Sequence, residues 1–173
     1  MRRRHLCVVL GAVGRIERWR ADWDPVMAAA VPAHVTVAYP EETADERLLI
    51  ERAEQLAADG GPFRLGLGEV RAVGDGTQGV YVAVDDVDGG WARLRTRLLA
   101  PPLLRRDLPA HVTLAHPRTS ARGASCWAAL AGRYVGARVT VGELLRTETE
   151  YRPGMPPEFT VVRRFPLHGA QAA

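Results

Sequence analysis

Pro32-Ala33-His34-Val35-Thr36-Val37-Ala38-Tyr39-Pro40 is a nonapeptide that this chain contains twice. It returns 77 residues later as Pro109-Ala110-His111-Val112-Thr113-Leu114-Ala115-His116-Pro117, with seven of the nine positions identical. In an extended strand successive side chains point to opposite faces. Val35 and Val37, like Val112 and Leu114, are therefore expected to face a core. His34, Thr36 and Ala38 share the other face, as do His111, Thr113 and Ala115. The small alanines leave room beside each His/Thr pair, so each copy offers one imidazole and one hydroxyl to a bound group.

Outward from these two strands the chain repeats a pattern. His5 to Leu10 reads as a short buried strand ended by Gly11 and Gly14. Ile16, Trp19, Trp23 and Val26 or Met27 then follow helical spacing, interrupted at Asp24-Pro25, which can cap and restart a helix. Thr43 with Glu46 forms a capping-box start for a helix closed by Gly60-Gly61. Phe63, Leu65 and Leu67 alternate as a strand, Gly74 to Gly79 is a loop, and Val80 to Val84 is a strand. Trp91, Leu94, Leu98 and Leu99 mark a helix that stops at Pro101-Pro102. After Pro117, Thr119 or Ser120 is expected to cap a helix through Cys126, Trp127, Leu130 and Ala131. Val139 to Glu150 and Phe159 to Phe165 read as strands, and the tail from His168 is expected to fray. The order strand, helix, His/Thr strand, helix, strand thus occurs over residues 5 to 70 and again over 80 to 148. A repeated peptide inside a repeated pattern implies internal duplication. The prediction is one α+β domain over 1–173 in two lobes, about 5–75 and about 79–167.

Composition narrows the function classes. The 173 residues suffice for an ordinary core, since a chain of this size buries roughly 70% of its unfolded surface. All 23 basic residues are arginine; against 20 acidic residues the formal charge is +3. That mild excess suits a small anionic ligand or a short nucleic acid, whereas the basic stripe of a duplex-DNA binder is absent. Cys7 and Cys126 lie far apart without metal-ligand spacing and read as buried hydrophobes in a reducing compartment. Met1-Arg2-Arg3-Arg4 with Leu6 to Leu10 is too short for a signal peptide, and no stretch reaches the length of a membrane span. A cytoplasmic monomer is the expectation.

Two imidazoles related by a pseudo-two-fold axis can serve as general base and general acid on opposite sides of one phosphorus. Two threonine hydroxyls can donate to its non-bridging oxygens, and no metal or cofactor is then required. A lone strand histidine is more often structural; two in equivalent motifs reverse that preference. His111 and His116, five apart, fall on opposite faces of a strand and do not suggest a metal site. His5 and His168 have no partner pattern. Tyr39, Arg118, Tyr151 and Phe159 are further candidates for lining a cleft, each with an ordinary structural reading beside it.

Two H-x-T motifs at this spacing, each continuing into an apolar strand, resemble the two-histidine (2H) phosphoesterase superfamily, which includes the 2'-5' RNA ligase-like proteins and cyclic nucleotide phosphodiesterases. Asp24-Pro25 with Val31 to Pro40 is similar to the family's first motif and lead-in, and Glu150-Tyr151 with Arg164 to Leu167 to its closing strands. The resemblance implies two antiparallel sheets facing a central cleft with helices outside. It also implies His34 with Thr36 and His111 with Thr113 as catalytic pairs, and hydrolysis of 2',3'-cyclic phosphates of nucleotides or RNA ends. Alternatives are 2'-5' RNA ligase activity and a binding module that holds a nucleotide or RNA-end phosphate without turning it over.

Overall fold

The duplicated strands each sit at the edge of a sheet. In a computed structural model, which describes residues 1–168, β1 (Arg2–Val9), β2 (His34–Ala38), β7 (Glu143–Glu150) and β8 (Glu158–Pro166) form one antiparallel sheet in the order β2-β1-β7-β8. β3 (Phe63–Ala72), β4 (Val80–Asp86), β5 (His111–Ala115) and β6 (Tyr134–Val141) form a second in the order β5-β4-β3-β6. Helices α1 (Gly14–Trp23), α2 (Pro25–Ala30), α3 (Glu46–Asp59), α4 (Gly90–Leu98) and α5 (Gly123–Leu130) connect the strands. The α+β duplication read from the sequence is therefore present. The tail expected to fray beyond His168 lies outside the described residues.

The sheets do not divide where the sequence repeat divides. β3 belongs to the first half of the chain but pairs with β4, and β7 belongs to the second half but pairs with β1. A short connection explains the first exchange: Val73 N–H donates to the Gly79 carbonyl at 3.0 Å, closing β3 and β4 into a hairpin, the default for neighbouring antiparallel strands. The boundary at about residues 75–79 is thus a hairpin loop inside one sheet.

The two halves share a second feature that periodicity does not reveal. Cys7 lies opposite Thr36 and Leu6 opposite Ala38, so β2 holds one extra residue at that point; Tyr81 lies opposite Thr113 and Val80 opposite Ala115, which is the same bulge in β5. A bulge reverses the alternation beyond it. Ala38 and Ala115 accordingly face the core with Leu6 and Val80 and are buried, where the unbroken alternation placed them beside the polar pair.

Local expectations at the helix ends need correction. Asp45, not Thr43, caps α3, accepting from Leu48 N–H at 3.0 Å, while Thr43 donates to the Pro40 carbonyl. Thr119 and Ser120 do not cap α5, which begins at Gly123 because their hydroxyls are engaged with Asp24 and Trp23. Val139 to Glu150 is not one strand: the chain crosses between sheets at Gly142, with Val141 paired to Phe63 and Leu144 to Phe165. Asp24 does cap α2, accepting from Met27 N–H at 3.1 Å with Pro25 in the first turn. Both cysteines are buried free thiols, and burial pushes Cys7 up to about 12.

Candidate active site

Each H-x-T strand is held from the opposite half of the chain. From α4, the Trp91 indole donates to the Thr36 carbonyl at 3.0 Å and Arg95 Nη1 donates to the Val37 carbonyl at 2.7 Å. From the α1–α2 junction, Asp24 Oδ2 accepts from His116 N–H at 2.9 Å and from the Thr119 hydroxyl at 2.7 Å. β2 and β5 are thereby brought against one another, and His34, Thr36, His111 and Thr113 line a single cleft of about 500 Å³.

The histidines have the same local geometry. His34 Nδ1 is 2.9 Å from the Pro32 carbonyl, and His111 Nδ1 is 2.9 Å from the Pro109 carbonyl. A carbonyl only accepts, so Nδ1 carries the proton in both rings and Nε2 is left as the free lone pair of the neutral form. The acceptor in each copy is the backbone carbonyl two residues before the histidine. Burial lowers both imidazoles from the ordinary histidine value, His34 to about 4 with Arg20 and His111 adding to the effect, and His111 against the opposing bond to Pro109.

Of the further candidates, Tyr39, Arg118 and Tyr151 line the cleft. The Tyr39 ring lies nearly parallel to His111, at 24° and 6.3 Å between centroids, so the end of the first motif packs on the histidine of the second. Phe159 is not among the lining residues. It lies on β8, the edge strand farthest from β2, where it pairs with Thr149 of β7 and is half-buried.

His116, His5, Arg3 and Arg20 also line the cleft and are not singled out by the sequence pattern. His116 joins His111 in the cleft because the bulge between Thr113 and Ala115 reverses the alternation that an unbroken strand would keep. His5 reaches the floor from β1, 5.6 Å from the His34 ring, and burial lowers it to about 3. Arg3 and His5 alternate on β1 and share a face, a legible signal once β1 is known to neighbour β2. Arg20 on α1 is buried and lines the cleft beside His34. Among the described residues no group of three His, Cys, Asp or Glu side chains is placed to hold a metal ion, and no helix is long and apolar enough to cross a membrane.

The family model described as the 2'-5' RNA ligase superfamily matches residues 9–150, a span that contains both H-x-T strands. The chain belongs to this superfamily. As a 2H phosphoesterase fold it also aligns with solved structures: E. coli LigT in apo form, at 20% identity and TM-score 0.68 over 96% of this chain and 98% of that one. TT0787 of Thermus thermophilus aligns at 17% identity and TM-score 0.65 over 97% and 99%. At such identities the likeness concerns the superfamily fold alone. LigT has been crystallised with ATP, with 3'-AMP and with phosphate. No curated protein matches the chain.

Proposed function

We propose that this 2H protein is a metal-independent phosphodiesterase that opens 2',3'-cyclic phosphates of nucleotides or RNA ends. The duplicated Nδ1–carbonyl hook carries the reading, because it leaves two Nε2 atoms with acid/base capacity at one cleft. One neutral imidazole removes a proton from water as its oxygen attacks phosphorus. The other, protonated, delivers its proton to the ribose 3'-oxygen as the P–O3' bond breaks, leaving a 2'-phosphate. Thr36 and Thr113 donate to the non-bridging oxygens. Arg3, Arg106 and Arg118 around the cleft, against Glu41 alone, give it the charge an anionic substrate requires. The complexes of LigT with 3'-AMP and ATP support a nucleotide as the ligand class. The 2'-5' ligation in the superfamily's name uses the same groups, with a ribose hydroxyl in place of water.

Purified protein should turn over members of a panel of 2',3'-cyclic mononucleotides and RNAs with cyclic-phosphate ends in the presence of chelator. Loss of turnover with EDTA, restored by a divalent ion, contradicts the mechanism; absence of turnover with binding retained supports a binding module. The rate should also depend on pH in a defined way. The base must be neutral, so the rate rises with pH through the lower of the coupled values; the acid must be protonated, so it falls through the upper. Since burial lowers both imidazoles, the bell in kcat/KM should be centred below the ordinary histidine value of about 6.5. An optimum above pH 8 in kcat/KM would be inconsistent with these environments.

A further inference from the structure

α1 and α4 each bury one arginine, and the two differ in how their charge is met. Arg95 on α4 has a side chain 4% exposed and is fully engaged: Nη1 and Nη2 donate to the two Glu42 oxygens at 3.0 and 2.9 Å, and to the carbonyls of Val37 and Arg106. Arg20 on α1 is 3% exposed, but its sole side-chain hydrogen bond among the described residues is from Nη2 to the Val31 carbonyl. Nη1 has no hydrogen-bond partner among the described residues. The nearest acid, Glu17, is 4.0 Å away and 43% exposed. Asp24 is occupied by His116, Thr119 and Met27.

A buried guanidinium with no carboxylate hydrogen-bonded to it carries a desolvation penalty that the exposed Glu17 at 4.0 Å offsets only in part. Arginine's forked donors match a phosphate as well as a carboxylate, and its charge persists on burial. Arg20 lines the cleft that holds both H-x-T pairs, on the His34 side. Its charge is felt there, since it contributes to the lowered basicity of His34. A neutral His34 beside a fixed cation suits a site that receives an anion.

Resting on the phosphodiesterase reading, we infer that Arg20 is a third catalytic contact: Nη1 donates to a non-bridging oxygen of the phosphate flanked by His34 and His111, while Nη2 stays anchored on Val31. The oxygen's charge is held at a preorganised donor during displacement, so the contact strengthens in the transition state.

The test uses the full chain with Arg20→Gln and Arg20→Lys, reading kcat and KM separately on the best cyclic mononucleotide, and affinity for inorganic phosphate by calorimetry. Arg20→Gln should lower kcat by about 10²–10³, the usual weight of one such donor, and weaken phosphate binding; Arg20→Lys, which keeps the charge but not both anchors, should recover part of each. Should Arg20→Gln not fold, Arg20→Lys carries the test through an expected fall in kcat of about tenfold with the melting temperature kept. A rise in KM with kcat unchanged places Arg20 on a remote group and overturns the inference, as does unaltered phosphate affinity in either folded variant. If the wild-type protein binds phosphate but has no turnover, the phosphodiesterase reading fails instead, and the phosphate affinities still decide whether Arg20 touches the anion.

Discussion

Alanine at His34 or at His111 is expected to lower kcat by about 10²–10⁴, the weight of a general acid or base. Both rings share the same hook to a proline carbonyl and the same cleft, so neither replacement should be markedly milder. The double variant should lose less than the product of the two, because once one proton transfer is absent the partner has less to contribute. Thr36→Ala and Thr113→Ala should cost less, since each removes one neutral donor among several. Steady-state kinetics on variants shown to be folded decides this. Near-normal turnover in both single His variants would leave only the binding-module reading.

The second large effect concerns stability. Glu42 is fully buried and accepts from Arg95 twice, from Arg106 N–H at 2.6 Å and from Tyr39 N–H at 2.9 Å. It joins the end of the first H-x-T strand to α4 and to the loop before the second. Glu42→Gln removes the carboxylate that meets a buried guanidinium, which is expected to cost about 3–5 kcal/mol. For a domain of this size that corresponds to a fall in Tm of roughly 6–20 °C. Replacing the pair with apolar side chains of similar volume should cost less than the single change, because no charge is then left unmet. A loss below about 1 kcal/mol for Glu42→Gln would mean that the ion pair adds little beyond its hydrogen bonds. Tyr39 and Arg106 both line the cleft, so residual folded Glu42→Gln should also show a raised KM.

The parts of this molecule legible in the sequence are those set by local pattern. Alternation in the two nonapeptides marks the strands and their buried aliphatics, and Asp24-Pro25 marks the break between α1 and α2. The bulges at Thr36 and Thr113 are not legible, because a bulge is a property of strand pairing and not of one strand's composition. For the same reason the exchange of β3 and β7 between sheets cannot be read from a repeat that divides the chain in the middle. The bulge in β5 is also why unbroken strand parity misplaces His116. Arg20 stands four residues after Ile16 and three before Trp23, so helical spacing places it on the apolar face of α1, unlike Arg15 and Arg18, which are exposed. Phe159, a candidate for the cleft, lies on the strand that sheet order puts at the far edge, and sheet order is not written in one strand's pattern.

That both imidazoles act on one phosphate is tested most directly by NMR titration of the histidine Cε1–H resonances with a nucleoside 2'-monophosphate, the expected product. Both His34 and His111 should shift together along one binding curve, and both should titrate at higher pH in the complex, because a bound phosphate stabilises the imidazolium forms that burial disfavours. Movement of only one of the two, or two curves with separate affinities, would contradict a shared phosphate.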